Sequence, residues 1–450
     1  MDILDNFCIQ PSLNAILPAK PLRLSGFENM MPPVYTRVVY YFKKPPELSS
    51  KETFMPHTCL LESLKLTVDA IPIVCGCLRK AEDMSLEVSF ERGSMPGAHF
   101  SVAQTTSNFP DAGSDVFQPD QVETELFSTS AYAQKTSPIL FAARLTRYPC
   151  GSVALGISMH HSIADFSSLS YFVNTWGRIA RGAEFEKMAW DRSSIANKEN
   201  LKFFDDPPDL TLDTKLIATS NRNAPPPPPP NIKVRSFVVT KEALTKLKDA
   251  VLSKNKDKEM RISTHDAFVA HAWSAITRAR NIGGDREVIC GISVDTRAKF
   301  DPPLPANTFG SLVICKLTRL PAELVSNEEQ MSLVAQSIRS SLIQINNEYL
   351  RQNLEWIDKQ PDKSKVTINI NQRNEVVNSS WTKFAVYEAD FGYGSPLRAM
   401  LPPWSIEGRL IILPSPPHWT EGEWNVLISL NPTALKRLEE DEEFSKYILK

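Results

Sequence analysis

Val153-Ala154-Leu155-Gly156-Ile157-Ser158-Met159-His160-His161-Ser162-Ile163-Ala164-Asp165 reads as an apolar strand running into two histidines, with a carboxylate four positions after His161. Beyond it, Leu169, Phe172, Val173, Trp176 and Ile179 form a stripe at helical spacing that stops near Gly182. A strand therefore hands over to a helix across a short loop, and the loop carries the histidines. Side chains at such a junction are backed by rigid structure yet reachable by a ligand. Neutral imidazole takes up a proton near physiological pH, its reference pKa being about 6.5. That suits His161 to general-base work on a hydroxyl or an amine, typically a contribution of roughly 10²–10⁴-fold. A satisfied structural histidine pair is the plain alternative. A metal set of His160, His161 and Asp165 fits less well, because adjacent residues of an extended chain point to opposite sides and no distant ligand cluster is evident.

Outward from this stretch the signals stay mixed. Val34 to Phe42 and Ile139 to Leu145 read as strands, and Pro149-Cys150-Gly151 turns the latter back into Val153. Leu60, Leu61, Leu64 and Val68 mark a helix between Cys59 and Val68. In the second half, Lys241 to Leu252 is an amphipathic helix, and Thr264 caps a mostly apolar one through about Arg278. Glu287 to Val294 is a buried strand, residues 327–354 one long helix, and Trp424 to Leu430 a strand leading into a helix begun by Asn431-Pro432. His265 and His271 lie on the apolar helix and read as packing residues. Between the halves stand six consecutive prolines, Pro225 to Pro230, which exclude helix and central strand and suit a semi-rigid tether. The division that follows is 1–217, a linker at 218–233, and 234–450.

The chain has 450 residues, more than one core commonly holds, and 42% hydrophobic against 23% charged residues, enough to bury two. With 50 Lys+Arg against 52 Asp+Glu the net charge is −2, no footprint for nucleic acid or an anionic membrane. No apolar run is long enough to span a bilayer, and Met1-Asp2-Ile3-Leu4-Asp5 lacks the basic start of a signal peptide. The seven cysteines are odd in number and scattered, several within apolar runs, as expected of free thiols in a reducing compartment; the expected location is cytoplasmic. Gly156-Ile157-Ser158-Met159-His160 misses a nucleophile elbow by its last glycine, and no phosphate-binding loop is present. A base without a nucleophile, phosphate loop or metal set fits direct transfer of a group to an acceptor that the base deprotonates.

His161-Ser162-Ile163-Ala164-Asp165 together with Asp390-Phe391-Gly392-Tyr393-Gly394 resembles the paired HxxxD and DFGWG motifs of the BAHD acyltransferases. Asp191-Arg192-Ser193, Asp295-Thr296-Arg297, Phe309-Gly310 and Ser380-Trp381 extend the likeness over nearly the whole chain. Leu24-Ser25, Pro32-Pro33-Val34-Tyr35-Thr36-Arg37 and the closing Arg437 to Phe444 resemble fungal members, pointing to the secondary-metabolite branch. The resemblance implies an α/β (α+β type) fold of two chloramphenicol acetyltransferase-like domains with an inter-domain tunnel. It also implies acyl-CoA, acetyl-CoA first, as co-substrate, a small-molecule alcohol or amine as acceptor, no metal, and a monomer. His161 would be the general base attacking through the acceptor without an acyl-enzyme. Asp165 would turn from the tunnel to pair with Arg297, with Asp390, Gly392 and Gly394 structural and His160, Ser380 and Trp381 candidates for the tunnel wall.

Three positions depart from the family pattern. Phe166 stands where glycine is usual, Tyr393 replaces a tryptophan, and Thr308-Phe309-Gly310-Ser311 replaces the Y-F-G-N of malonyl-specific members, which argues against a malonyl donor. Two other readings remain: a condensation-type enzyme with a carrier-protein donor, from the doubled histidine, and a catalytically weak metabolite-binding member, from Phe166.

Overall fold

A computed structural model describes residues 1–48, 53–134, 136, 138–190, 192, 195, 214–216, 231–255, 257, 259–369 and 374–448. The proline run and nearly all of the expected linker lie outside the described residues. The first half supplies strands β1 (Asp2–Ile9), β2 (Tyr35–Phe42), β3 (Ala98–Gln104), β4 (Phe141–Arg147) and β5 (Val153–His160). The second supplies β6 (Lys233–Val239), β7 (Glu287–Asp295), β8 (Val313–Pro321), β9 (Glu375–Ser380), β10 (Arg398–Met400), β11 (Arg409–Pro414) and β12 (Trp424–Leu430). One six-stranded sheet runs β1-β3-β4-β5-β2-β10 and the other β6-β12-β11-β9-β7-β8. Strand β10 thus crosses from the second half to close the edge of the first sheet, pairing Arg398 with Tyr41.

The first half also supplies helices α1 (Gly26–Met30), whose Phe27 and Met30 pack with Leu350, Leu354 and Ile357 of the second half, and α2 (His57–Ala70) and α3 (Phe166–Ala180), which pack on the first sheet. Leu169, Phe172, Val173 and Trp176 of α3 are wholly buried, and the Trp176 indole donates to the Leu60 carbonyl and to Ser63 Oγ (3.1 and 3.0 Å), fastening α3 to α2. The second sheet carries α4 (Lys241–Ser253), α5 (Thr264–Ala279), α6 (Met331–Ile343), α7 (Asn347–Asp358) and α8 (Pro432–Glu440). The cap expected at Thr264 falls one residue earlier, where Ser263 and Asp266 close a reciprocal capping box and Thr264 is the first helical residue. The single long helix expected over 327–354 is two, because the Asn346 side chain turns back to accept from Tyr349 N and starts a new helix instead of continuing the old one. Among the described residues no helix is long and apolar enough to cross a membrane.

Helix α5 is the spine of the second core. His271 on it is fully buried, its ring stacked on Phe444 at 5.8 Å between centroids and edge-on to Tyr447. Burial holds its pKa down to about 4, so it packs as neutral imidazole. The unfolded chain takes up this proton below about pH 6.5 and the folded chain only near pH 4, so folding is disfavoured as pH falls through that window. Denaturant unfolding from pH 7 to pH 4 should show a loss of roughly 3 kcal/mol from this residue. His271→Phe should remove that part of the slope; an unchanged slope would contradict the buried neutral histidine.

Candidate active site

Strand β5 lies between β4 and β2, and its last residue, His160, is opposite Tyr35. The chain continues into His161, whose N–H donates to the Val34 carbonyl (2.9 Å), so the backbone at the strand end is fixed from the neighbouring segment. From there the two histidines part, as alternation requires. His160 is fully buried and edge-on to Tyr35. Its Nδ1 accepts from Ser162 N (3.2 Å), which leaves the proton on Nε2, donated to the Gln134 carbonyl (2.9 Å). This corrects the expectation that His160 lines a substrate path: it is a packed residue with both ring nitrogens engaged. His161 turns the other way and is half-buried, with Nδ1 3.2 Å from the hydroxyl of Ser311, a wholly buried residue of the second half.

Asp165 is the N-cap of α3, Oδ1 accepting from Ser168 N (2.9 Å). Its carboxylate meets the Arg297 guanidinium through both oxygens, at 2.8 and 3.2 Å, and Oδ2 also accepts from Leu312 N (3.0 Å). Both carboxylate oxygens are thereby occupied. Arg297, 3% exposed, donates in turn to Asp295 and to the carbonyls of Thr308 and Gly310. Burial alone would lower its pKa; the carboxylates of Asp165 and Asp295 outweigh that and raise it, so Arg297 stays charged.

The 308–312 loop is gripped from a second side. Arg192 forms a two-toothed pair with the fully buried Glu28 of α1 (2.9 and 2.7 Å) and donates to the Phe309 carbonyl. Gly310 sits in this crossing: a β-carbon there would stand 2.6 Å from Glu28 Oε1 and 2.7 Å from an Arg192 nitrogen. Spacing alone revealed neither the Glu28–Arg192 pair nor the contact of Ser311 with the base. The signal available was the recurrence of Arg192 and Phe309-Gly310 in the family pattern.

Phe166 enters α3 as its first residue, with no left-handed backbone, and its ring lies flat on Trp381 at 3.5 Å between centroids and 9° between planes. The turn after Asp165 therefore accommodates the departure from glycine, and the ring joins the two halves beside the base. Trp381 is 6% exposed with its indole N–H on Ser379, while Ser380 is half-buried beside Thr382 (3.1 Å).

The second motif lies elsewhere. Asp390 Oδ1 accepts from the N–H groups of Gly392, Tyr393 and Gly394 (2.8, 3.0 and 2.9 Å), a closed turn in which the two glycines take φ of 95° and 89°. Phe391 packs on Phe42 and Trp176, and Arg181, at the far end of α3, binds Asp390. Asp165 caps one end of that fifteen-residue helix and this turn abuts the other, roughly 22 Å away at 1.5 Å per residue. His265 has its Nε2 2.8 Å from Asn378 Oδ1 and its pKa lowered by burial. Among the described residues no group of three or more His, Cys, Asp and Glu side chains is arranged to hold a metal.

Comparison with known proteins agrees over the full length. A profile described as Transferase family matches residues 2–445. A hydroxycinnamoyltransferase of Narcissus pseudonarcissus is 27% identical over 431 residues, covering 92% of each chain. Shikimate O-hydroxycinnamoyltransferase of Nicotiana tabacum is 26% identical and covers 98% of each. The solved structure of F. graminearum TRI101, complexed with coenzyme A and deoxynivalenol, aligns with a TM-score of 0.81 at 19% identity, over 96% of this chain and 99% of that one. That likeness establishes the two-domain, chloramphenicol acetyltransferase-like fold. The chain belongs to the Transferase family and is an acyltransferase of the BAHD type.

Proposed function

We propose that the protein transfers an acyl group, acetyl in the first instance, from acyl-CoA to a hydroxyl or amine of a secondary metabolite, with His161 as general base and no acyl-enzyme. The observation that carries this reading is the setting of His161: a half-buried imidazole on a fixed strand end, with Nδ1 against the Ser311 hydroxyl. When Nδ1–H donates to Ser311 Oγ, the lone pair is left on Nε2, the nitrogen that acts on the acceptor. Nε2 removes the acceptor proton as the oxygen or nitrogen attacks the thioester carbonyl. Collapse of the tetrahedral intermediate breaks the C–S bond, and the imidazolium returns the proton to the departing thiolate. The products are the ester or amide and free CoA. Asp165, with both oxygens held by Arg297, Ser168 and Leu312, supports the loop and takes no part in proton transfer. Asp390, Gly392 and Gly394 brace the far end of α3, and Ser380 and Trp381 flank the acceptor.

The relatives named for hydroxycinnamoyl transfer put that thioester beside acetyl-CoA in the first assay; the N-terminal and C-terminal signatures favour fungal secondary metabolites as acceptors. One chain contributes His161, Ser311 and Trp381, so a monomer is sufficient.

Thiol release from a panel of acyl-CoAs with hydroxylated metabolites should depend on the acceptor and fall by at least about 10²-fold in His161→Ala. Acceptor-dependent release that survives the substitution would remove His161 from the chemistry.

Ser311→Ala should keep the fold and lower kcat/KM by about tenfold, the worth of one hydrogen bond to an imidazole that becomes charged. An unchanged rate would show that Ser311 does not position the base.

A further inference from the structure

Arg398 is 0% exposed, and none of its three guanidinium nitrogens has a hydrogen-bond partner. A guanidinium does not shed its proton in a protein, so this is a full positive charge withdrawn from water. Such a charge is tolerated only beside a counter-charge or a full set of acceptors. What surrounds it offers neither. The face of Trp419 lies 4.5 Å from the guanidinium carbon, an attraction that leaves the in-plane N–H groups pointing past the ring. Burial lowers the Arg398 pKa; the Tyr387 phenol and Asp115, an exposed carboxylate, act on it only at range, and neither forms a hydrogen bond with it.

A second orphan stands beside it. Arg398 is directly opposite Tyr41 in the β10–β2 pairing, so the two side chains rise from the same face of the sheet as neighbours. Tyr41 is also 0% exposed, and its hydroxyl has no partner. Its ring is boxed by Phe109 and Phe117 at 5.9 and 5.6 Å, edge-on to both. Glu123 acts on Tyr41 only through its charge at range. Two adjacent buried donors with nothing to accept from them define a site for an acceptor that carries negative charge.

We propose that Arg398 and Tyr41 form a buried binding site for a small oxyanion of the size of formate or acetate. The carboxylate accepts from the flat side of the guanidinium fork and from the Tyr41 hydroxyl, with Trp419 stacked above. Phe109 and Phe117 of the 109–118 segment stand against Tyr41 and the half-buried Trp419 against Arg398, and the two segments are joined where His418 Nε2 meets the Gly113 carbonyl at 2.6 Å. One segment belongs to the first half and the other to the second, so a bound anion fastens the two halves together at the edge of the first sheet. The site is separate from the reaction centre. Six residue steps of β2 divide the Tyr41–Arg398 pair from the Tyr35–His160 pair, roughly 20 Å along the strand.

The test is thermal unfolding in a buffer whose only anion is a bulky sulfonate, titrated at constant ionic strength with formate, acetate or pivalate. Formate and acetate should raise the Tm to a plateau, as a ligand of the native state does. Pivalate, too wide for the enclosure, should leave it unchanged. Arg398→Met should abolish the response, and Tyr41→Phe, a milder change for use if the first fails to fold, should raise the half-saturating acetate concentration about tenfold. A flat wild-type titration, an equal rise with all three anions, or an undiminished response in Tyr41→Phe would overturn the proposal. So would an Asp115→Asn variant that loses as much Tm as Arg398→Met while acetate does nothing, because Asp115 would then be the counter-charge.

Discussion

The ion pair between Asp165 and Arg297 joins the two halves of the molecule at the point where the chemistry is placed. Two charges taken out of water cost several kcal/mol each, and their attraction offsets this only when geometry and additional hydrogen bonds are complete. Here they are complete. Asp165 accepts from Ser168 and Leu312 as well as from both arms of Arg297, and Arg297 donates onward to Asp295, Thr308 and Gly310. A carboxylate so occupied has no lone pair to spare for the imidazole four residues before it. Its role follows from that saturation: it starts α3 and holds the 308–312 loop of the other half.

What the clamp positions is Ser311. The residues on either side of it, Gly310 and Leu312, are tied through their backbone groups to Arg297, Ser168 and Asp165, and Phe309 is tied to Arg192 and through it to Glu28. The Ser311 hydroxyl is therefore delivered to His161 by a loop with little freedom, while His161 is fixed from the opposite side by the Val34 carbonyl. A base whose tautomer and orientation are set before the substrates arrive avoids reorganisation during proton transfer. Phe166 on Trp381 adds an apolar join beside the polar one, and the Asp390 turn braces α3 at its other end.

Much of this was legible from local pattern. A strand ending in His160-His161 and a helix with one apolar stripe are short-range features, and each formed where its period places it, while the capping of that helix by Asp165 emerged only from the structure. The features that escaped are those in which distant segments decide the outcome. Whether a histidine at a strand end faces packing or a ligand depends on what lies on each side, and His160 met Gln134 and Tyr35 while His161 met Ser311. Residues 327–354 have helical periodicity throughout; only the capping of Tyr349 N by Asn346 divides them. Glu28 and Arg192 are far apart in sequence, and a buried pair of that kind leaves no periodic trace.

The central claim is that Asp165 acts through structure, by holding together the two halves that carry the base and its partner. Asp165→Asn keeps size and shape but leaves the buried Arg297 with only the exposed Asp295 as counter-charge. Unfolding of this variant, measured alongside its turnover, should show a loss of roughly 3–5 kcal/mol of stability together with reduced yield of folded protein. An unchanged melting temperature with turnover abolished would contradict the account and return Asp165 to the reaction itself.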